Sequence, residues 1–359
     1  MGDPSGKKRG RGATVNPAGR FEPRQVEAVW DDLVLDPDDP PRNPLTQVFI
    51  ENAKTVLTKN DSPDVPFDVS VNPYRGCEHG CSYCFARASH AYMNLSAGLD
   101  FETKIFAKPE AASLLAKEIG KRGYRCQSIA FGTNTDPYQP IERKLRIMRG
   151  ILELLVACEH PFSIVTKAAL IVRDLDLIAP AAARGQASAF LSVTTLDPGL
   201  ASRMEPRAAA PHRRLSALRE LAQAGVPCGV LASPMIPGLN DHELEKILEA
   251  GAEAGATIAG MLLIRLPHEV KEVFASWLAE NEPGRAGKIL SLIQQARGGK
   301  MYDSTFGTRM TGEGPYAEML KRRYDVACAR LGLNRERIAL DTSRFKPKAA
   351  AGPQRSLFG

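Results

Sequence analysis

Between about residues 66 and 266 short apolar, β-branched runs alternate with longer stretches whose apolar residues recur every three or four positions. The runs fall at 67–71, 128–131, 162–165, 189–193, 229–232 and 258–264, lengths suited to buried strands. Leu145, Met148, Leu152 and Leu155 form one stripe between them; Leu215, Leu218 and Leu221 form a second, and Leu244, Ile247 and Leu248 a third. Each spacing predicts a helix with one face turned to a core. Asp174 and Asn240 stand where N-caps are expected, the latter with Glu243 three residues on. Strands that each precede a helix call for a parallel sheet with right-handed crossovers. Six are too few for the usual eight-stranded barrel. The expected fold is therefore α/β, a partial open (β/α)6 TIM-type barrel with an α-helical C-terminal extension; a doubly wound sheet is the alternative. In either, ligands meet the C-terminal ends of the strands.

The flanks read differently. Residues 1–45 are rich in Gly, Pro, Arg and Asp, with an acidic patch over 31–39, and predict a disordered leader before a core at 46–266. Helical patterns at 270–278 and 286–295, a Gly-rich loop over 298–314 and a last amphipathic helix at about 316–331 predict a C-terminal extension over 267–340. A basic tail, 341–359, completes the division. Within the run Lys321, Arg322 and Arg323 a solvated face is the expected role. The net charge is +6, part of it in the tails at Lys7, Lys8, Arg9 and Arg11 and at Arg344, Lys346, Lys348 and Arg355. Such an excess does not by itself make a nucleic-acid binder. No apolar run reaches the length of a membrane span, and seven cysteines without a secretory apolar segment suggest a reducing cytoplasm.

Three of those cysteines are close together. Cys77, Cys81 and Cys84 are spaced C-x3-C-x2-C, with Tyr83 just before the last, directly after the first predicted strand. Three thiolates can hold three corners of an iron–sulfur cubane and leave one iron open to a small molecule. The alternative is a Cys3His zinc knot with His79 or His90 as fourth ligand, although structural zinc sites usually pair two cysteine hooks. Cys126, Cys158, Cys228 and Cys328 are single and widely spaced.

Polar groups gather at the other strand ends. Thr133, Asn134, Thr135 and Asp136 follow the second strand, Lys167 closes the third, and Ser192, Thr194 and Thr195 lie at the fourth. The fifth runs into a turn with Ile236, Gly238 and Asp241, where Gly238 would let backbone approach a ligand, and the sixth ends at Arg265. Together they describe a polar crown able to hold a molecule with an amine, a carboxylate and a ribose.

The cysteine spacing with its aromatic residue resembles the radical S-adenosylmethionine (radical SAM) superfamily. The resemblance implies a [4Fe-4S] cluster on Cys77, Cys81 and Cys84 and a bound S-adenosyl-L-methionine. It also implies reductive cleavage of that cofactor to a 5′-deoxyadenosyl radical, which abstracts hydrogen from a substrate. Tyr83 is part of the signature; Asn134 and Asp136 occupy the place of the motif for the methionyl amine, and Ile236, Gly238 and Asp241 match positions near the adenine. More narrowly, Val165, Thr166, Lys167, Ser192, Glu205 and Pro206 look like the spore photoproduct lyase group, also called DNA repair photolyase-like, in which the lysine and serine bind the cofactor's carboxylate. That group's hydrogen-donating cysteine is replaced here by Thr133, whose O–H bond is a poor hydrogen-atom source. An electron donor such as flavodoxin or ferredoxin is implied as partner. A DNA-related substrate is a subsidiary expectation, motivated by the tails and by Arg143, Lys144, Arg146 and Arg149, which otherwise read as the solvent face of a helix. The competing class is a non-catalytic zinc or iron–sulfur protein that binds nucleic acid.

Overall fold

The computed structural model describes residues 11–21 and 45–347. The acidic patch 31–39 and Lys7, Lys8, Arg9, Lys348 and Arg355 lie outside the described residues. Among the described residues ten strands form two sheets: β1 (Gln47–Ile50), β2 (Leu57–Lys59), β3 (Val69–Val71), β4 (Tyr74–Arg75), β5 (Lys104–Ala107), β6 (Ile129–Phe131), β7 (Phe162–Thr166), β8 (Ala187–Ser192), β9 (Cys228–Met235) and β10 (Ile258–Leu263). The larger sheet has the order β10-β9-β8-β7-β6-β3-β2. Its six predicted strands, β3 and β6 to β10, are all parallel; β2 adds an antiparallel edge beside β3. Helices cover the strands, and among the described residues β2 and β10 are the two edges of this sheet with no strand joining them, so the barrel is open.

Burial explains why the runs become strands. In β8 five of six side chains are buried, as in a strand covered on both faces. The helix Ile147–Ala157 turns Met148, Ile151, Leu152 and Leu155 fully inward, and Leu244, Ile247 and Leu248 do the same in the helix Leu244–Glu253. Leu145 belongs to a separate short helix, Glu142–Leu145, because Arg146 adopts φ 53° and breaks the expected stripe. The buried Glu142 carboxylate caps the second helix by accepting from the Ile147 and Met148 amides at 3.0 and 3.1 Å.

The two expected N-caps hold their positions but not their roles. Asp174 precedes the helix Leu175–Ala183, and its carboxylate accepts instead from Tyr138 Oη at 3.1 Å, Arg149 and Arg173. Asn240 ties the turn after β9, its Oδ1 taking the Ile236 amide at 2.7 Å while its Nδ2 donates to the Thr194 carbonyl at 2.6 Å. Glu243 reaches across to the Leu196 amide at 3.0 Å and to Thr195.

The smaller sheet, ordered β1-β5-β4, feeds the cysteine loop from β4, and its β5 meets His90 through the Lys104 carbonyl at 3.1 Å and the Phe106 ring. Of the helices after β10, Val270–Asn281 and Ala286–Gln295 share an apolar cluster with Cys81, Tyr83 and Ile236, so this core runs through the join at residue 266. The final helix, Pro315–Leu331, lies against β10 and the helix Leu244–Glu253, with Arg323 on Glu245 at 2.6 Å. The loop leading to it spans the open side of the sheet. Gly307 N donates to Asp64 Oδ1 at 2.7 Å, Arg309 pairs with Asp64, and Leu263 N donates to the Met310 carbonyl at 2.8 Å.

Residues 11–21, within the stretch expected to be a leader, lie across the cysteine loop. Within the C-terminal tail, Arg344 and Lys346 pair with Glu159 at 3.0 and 3.2 Å, and Phe345 meets the His160 ring edge-on at 5.0 Å. No helix among the described residues is long and apolar enough to cross a membrane.

Candidate iron–sulfur and cofactor site

The cysteine loop leaves β4 at the C-terminal end of the sheet. Gly76 makes the departure with φ 78°, where a Cβ would stand 2.9 Å from the Phe101 carbonyl. Its backbone is tied down along its length: Cys77 N donates to Phe101 O at 3.0 Å, Ser82 N to Met204 O at 3.0 Å and Cys84 N to Cys81 O at 3.2 Å. Arg87, fully buried, sends Nε to the Cys81 carbonyl at 2.8 Å and Nη1 to the carbonyls of Ala97 and Gly98 at 3.0 and 2.9 Å. Its charge is matched by buried Glu102 at 2.5 Å.

The turn after β6 supports the loop from the sheet side. Thr135 Oγ1 donates to the Gly76 carbonyl at 2.7 Å, and Gln139 bridges the Gly76 carbonyl and the Glu78 amide at 3.2 and 2.9 Å. Asp136 takes the Thr166 hydroxyl at 2.6 Å, the Lys167 and Tyr138 amides at 2.8 and 2.9 Å, and His79 Nδ1 at 3.3 Å. Burial alone would raise this carboxyl; the His79 charge and these hydrogen bonds bring it down to about 2. Asp136 is thus engaged with the chain's own donors. Asn134 alone of this run is exposed, its amide held by Asn72 at 3.0 Å, and Thr133 Oγ1 meets Asn72 Nδ2 at 3.1 Å.

Tyr83, buried, closes a second network, with Oη 3.1 Å from Thr194 Oγ1 and bonded to Glu205. Glu205 is paired with buried Arg214, which also reaches the Ser192 carbonyl at 3.0 Å. Burial raises the Glu205 carboxyl, and Arg214, Lys167 and the hydrogen bonds outweigh it, leaving it at about 2. Sequence reasoning placed Glu205 only by resemblance and missed Arg214, whose helix Pro211–Gln223 also carries Arg213, Arg219 and Glu220, so nothing local marks which charge is buried. Lys167 reaches over the Tyr83 ring, Nζ 5.8 Å from its centre, and its charge is felt at Cys81. Cys77, Cys81, Tyr83, Asp136, Lys167 and Ser192 are therefore linked through one connected set of contacts.

The turn after β9 packs on the extension. Ile236 is buried in the apolar cluster beside Cys81 and Tyr83. Gly238 has φ 74°, but the space a Cβ would need is filled by Leu292 Cδ1 at 2.8 Å, so its backbone meets a helix of the extension. Asp241 accepts from the Gly238 amide at 3.0 Å and from the Tyr316 hydroxyl, which consumes both its oxygens. These groups tie the turn to the extension, a role that depends on residues some fifty or more positions away.

The donor set suits a cluster better than a single ion. No three His, Cys, Asp or Glu side chains among the described residues converge as one metal ion requires. His90 Nε2 is 3.1 Å from the Lys104 carbonyl, and His79 is occupied by Asp136. Three thiolates bound to three separate irons need no such convergence. Burial, with the Asp136 charge and the neighbouring cysteines, pushes the Cys77 thiol well up; burial, with Glu205 foremost among the charges, pushes Cys81 to about 12. Thiolates in this setting call for the positive charge of iron. Ser82 Oγ is buried with no hydrogen-bond partner in the described residues, a donor placed between two of the cysteines. Cys126 precedes β6, at the opposite end of that strand.

Comparison with known proteins agrees. The family model described as the radical SAM superfamily matches residues 71–251. An uncharacterized protein of Mycobacterium tuberculosis is 38% identical over 245 residues, 67% of this chain and 72% of the relative. One of Methanocaldococcus jannaschii is 27% identical over 173 residues, covering 48% and 62%. Among solved structures, spore photoproduct lyase complexed with dinucleoside spore photoproduct superimposes with TM-score 0.57 at 17% identity over 80% of each chain. A variant of that lyase with bound AdoMet and the same photoproduct gives 0.58 at 17% identity, also over 80% of each chain. The reading as a non-catalytic zinc or iron–sulfur protein that binds nucleic acid gives way to an enzyme. With three cysteines on the loop after β4 and a matched domain that runs from the end of β3 past β9, the chain belongs to the radical SAM superfamily and is an enzyme whose cofactors are a [4Fe-4S] cluster and S-adenosyl-L-methionine.

Proposed function

We propose that Cys77, Cys81 and Cys84 hold three irons of the cluster, and that the chain uses it to abstract hydrogen from a substrate at the open mouth of the sheet. The observation that carries this is the cysteine loop itself, buried, braced by Arg87 and Asp136, and adjoined by Lys167. When bound, cluster and cofactor together supply one-electron cleavage of a C–S bond and a 5′-deoxyadenosyl hydrogen acceptor. The chain's share is orientation and exclusion of water. Lys167 offers a point charge for the cofactor's carboxylate, with Ser192 beside it at the end of β8. Asn134, exposed at the end of β6, is the residue of its turn free to meet the amine, while Asp136 fixes the backbone around it. Tyr83 and Ile236 form the apolar wall, and Gly238 and Asp241 hold the turn that carries Ile236. A reducing cytoplasm and a flavodoxin- or ferredoxin-type electron donor fit this chemistry.

A DNA-related substrate is a second reading. It is supported by the likeness of fold to spore photoproduct lyase, solved with a dinucleoside photoproduct. Arg143, Lys144 and Arg146 are exposed, while Arg149 is spent on Asp174 and Asp176 at 3.0 and 2.8 Å. Thr133, paired with Asn72, stands where the lyase group has its donor cysteine, which weighs against reversal of a thymine dimer by that group's route. Anaerobic reconstitution tests the main reading. About four irons and four sulfides per chain are expected, and reduction with added S-adenosyl-L-methionine should release 5′-deoxyadenosine. Fully loaded protein that neither binds the cofactor nor releases this product would refute it.

A further inference from the structure

Residues 11–21 are built into the cysteine loop rather than laid over it. A Cβ on Gly12 would stand 1.6 Å from the Gly80 carbonyl oxygen and 3.2 Å from the Ser82 amide nitrogen. Gly80, at φ 68°, in turn has Glu102 Oε2 2.8 Å and the Gly12 nitrogen 3.3 Å from where its own Cβ would be. Two glycines are thus pressed back to back, one from the segment and one from between Cys77 and Cys81. The same buried carboxylate joins both sides: Glu102 accepts from the Gly12 and Ala13 amides at 3.0 and 2.7 Å and from Arg87 at 2.5 Å, while Arg87 holds the Cys81 carbonyl. Beyond this point the segment is pinned to the barrel and to the extension. Asn16 Oδ1 accepts from the Leu99 amide at 3.0 Å, Thr14 Oγ1 meets Ser276 Oγ at 2.7 Å, and Arg20 pairs with Glu269 at 2.9 Å.

We infer that residues 11–21 are a strap that holds the cysteine loop closed around its cluster, with Gly12 and Glu102 as positioning residues. The inference rests on the cluster assignment above. Only the loop shape that seats Gly12 against Gly80 completes the bonds to Glu102, so strap docking and cluster retention stabilise each other. Such coupling is reciprocal: whatever loosens the strap loosens the cluster, and loading the cluster protects the strap. A side chain at Gly12 lifts the strap without touching a ligand and opens the loop to water, which alters both the lability and the potential of an iron–sulfur centre.

Anaerobically reconstituted wild type and Gly12→Val are compared for the rate at which EDTA strips iron and for cluster midpoint potential, with Gly287→Ala, where nothing stands within 4 Å, as control. The expected result is iron loss about tenfold faster in Gly12→Val with an upward shift in potential, and no change in the control. Wild-type rate and potential in Gly12→Val would overturn the strap. In parallel, trypsin cleavage after Arg20 is followed in the unaltered chain, and should slow severalfold once the cluster is loaded. Equal cleavage with and without cluster would overturn the inference even if Gly12→Val fails to fold. Wild type that never loads a cluster would refute the cluster assignment and the strap with it, whereas loading with equal rates refutes the strap alone.

Discussion

Asp136 shows how much one largely buried carboxylate can organise. It gathers the His79 ring, the Thr166 hydroxyl and two backbone amides, one of them that of Lys167. Asp136→Asn keeps the size but turns one acceptor into a donor facing donors, so we expect a loss of about 2–3 kcal/mol in urea unfolding. Alkylation of Cys77 in the metal-free protein should quicken as the loop loosens. Cys81→Ala removes one ligand outright: iron content and 5′-deoxyadenosine release should both collapse, and retained cleavage would undo the ligand assignment. The cysteines and Tyr83 were legible because their meaning lies in spacing along seven or eight residues. Asp136, Gly238 and Asp241 were legible as polar or flexible positions at strand ends and, by resemblance, as cofactor contacts, but their ties within the chain were not. Their partners, His79, Leu292 and Tyr316, are remote in sequence, and no local pattern announces them.

Among elements, the parallel strands could be read because each is a short apolar run with both faces covered, and their neighbours in the sheet follow from the chirality of the crossovers. The sheet β1-β5-β4 was not, since strands of two to four residues are too short to carry a periodic signal and β1 is exposed throughout. The 3-10 helix Phe85–Met93 escaped notice for a similar reason: it is organised around Arg87, whose partners lie up to fifteen residues away. Arg87→Met would leave Glu102 charged and buried, and we expect a cost of about 3–5 kcal/mol in thermal or urea unfolding. At the end of β6, Gly132 has φ 84° and a Cβ there would lie 1.9 Å from the Val165 carbonyl oxygen. Gly132→Ala should therefore push β6 and β7 apart, costing upwards of about 2 kcal/mol and shifting amide exchange in both strands.

For the whole molecule, one part of acid stability comes from a histidine in contact with the C-terminal tail. His160 is buried between Tyr124, whose hydroxyl is 2.9 Å from Nε2, and Phe345 of the tail, with Nδ1 3.0 Å from the Pro161 carbonyl. Burial lowers its pKa from 6.5 to about 4, the backbone bond opposing. The folded state therefore refuses a proton that the unfolded chain accepts. Stability from this group is complete above about pH 6.5 and falls as pH drops through 4, by about 3 kcal/mol. Urea midpoints should decline over that window, and less steeply in His160→Gln. The open barrel carries a separate consequence. Its two free edges are bridged by the loop that brings Arg309 to Asp64, positions 245 apart in sequence. That bridge works as a hasp on a door left ajar. The spacing of the two edges is thus held by the Arg309–Asp64 pair together with the Gly307–Asp64 and Leu263–Met310 hydrogen bonds, and loosening any of them should widen the gap.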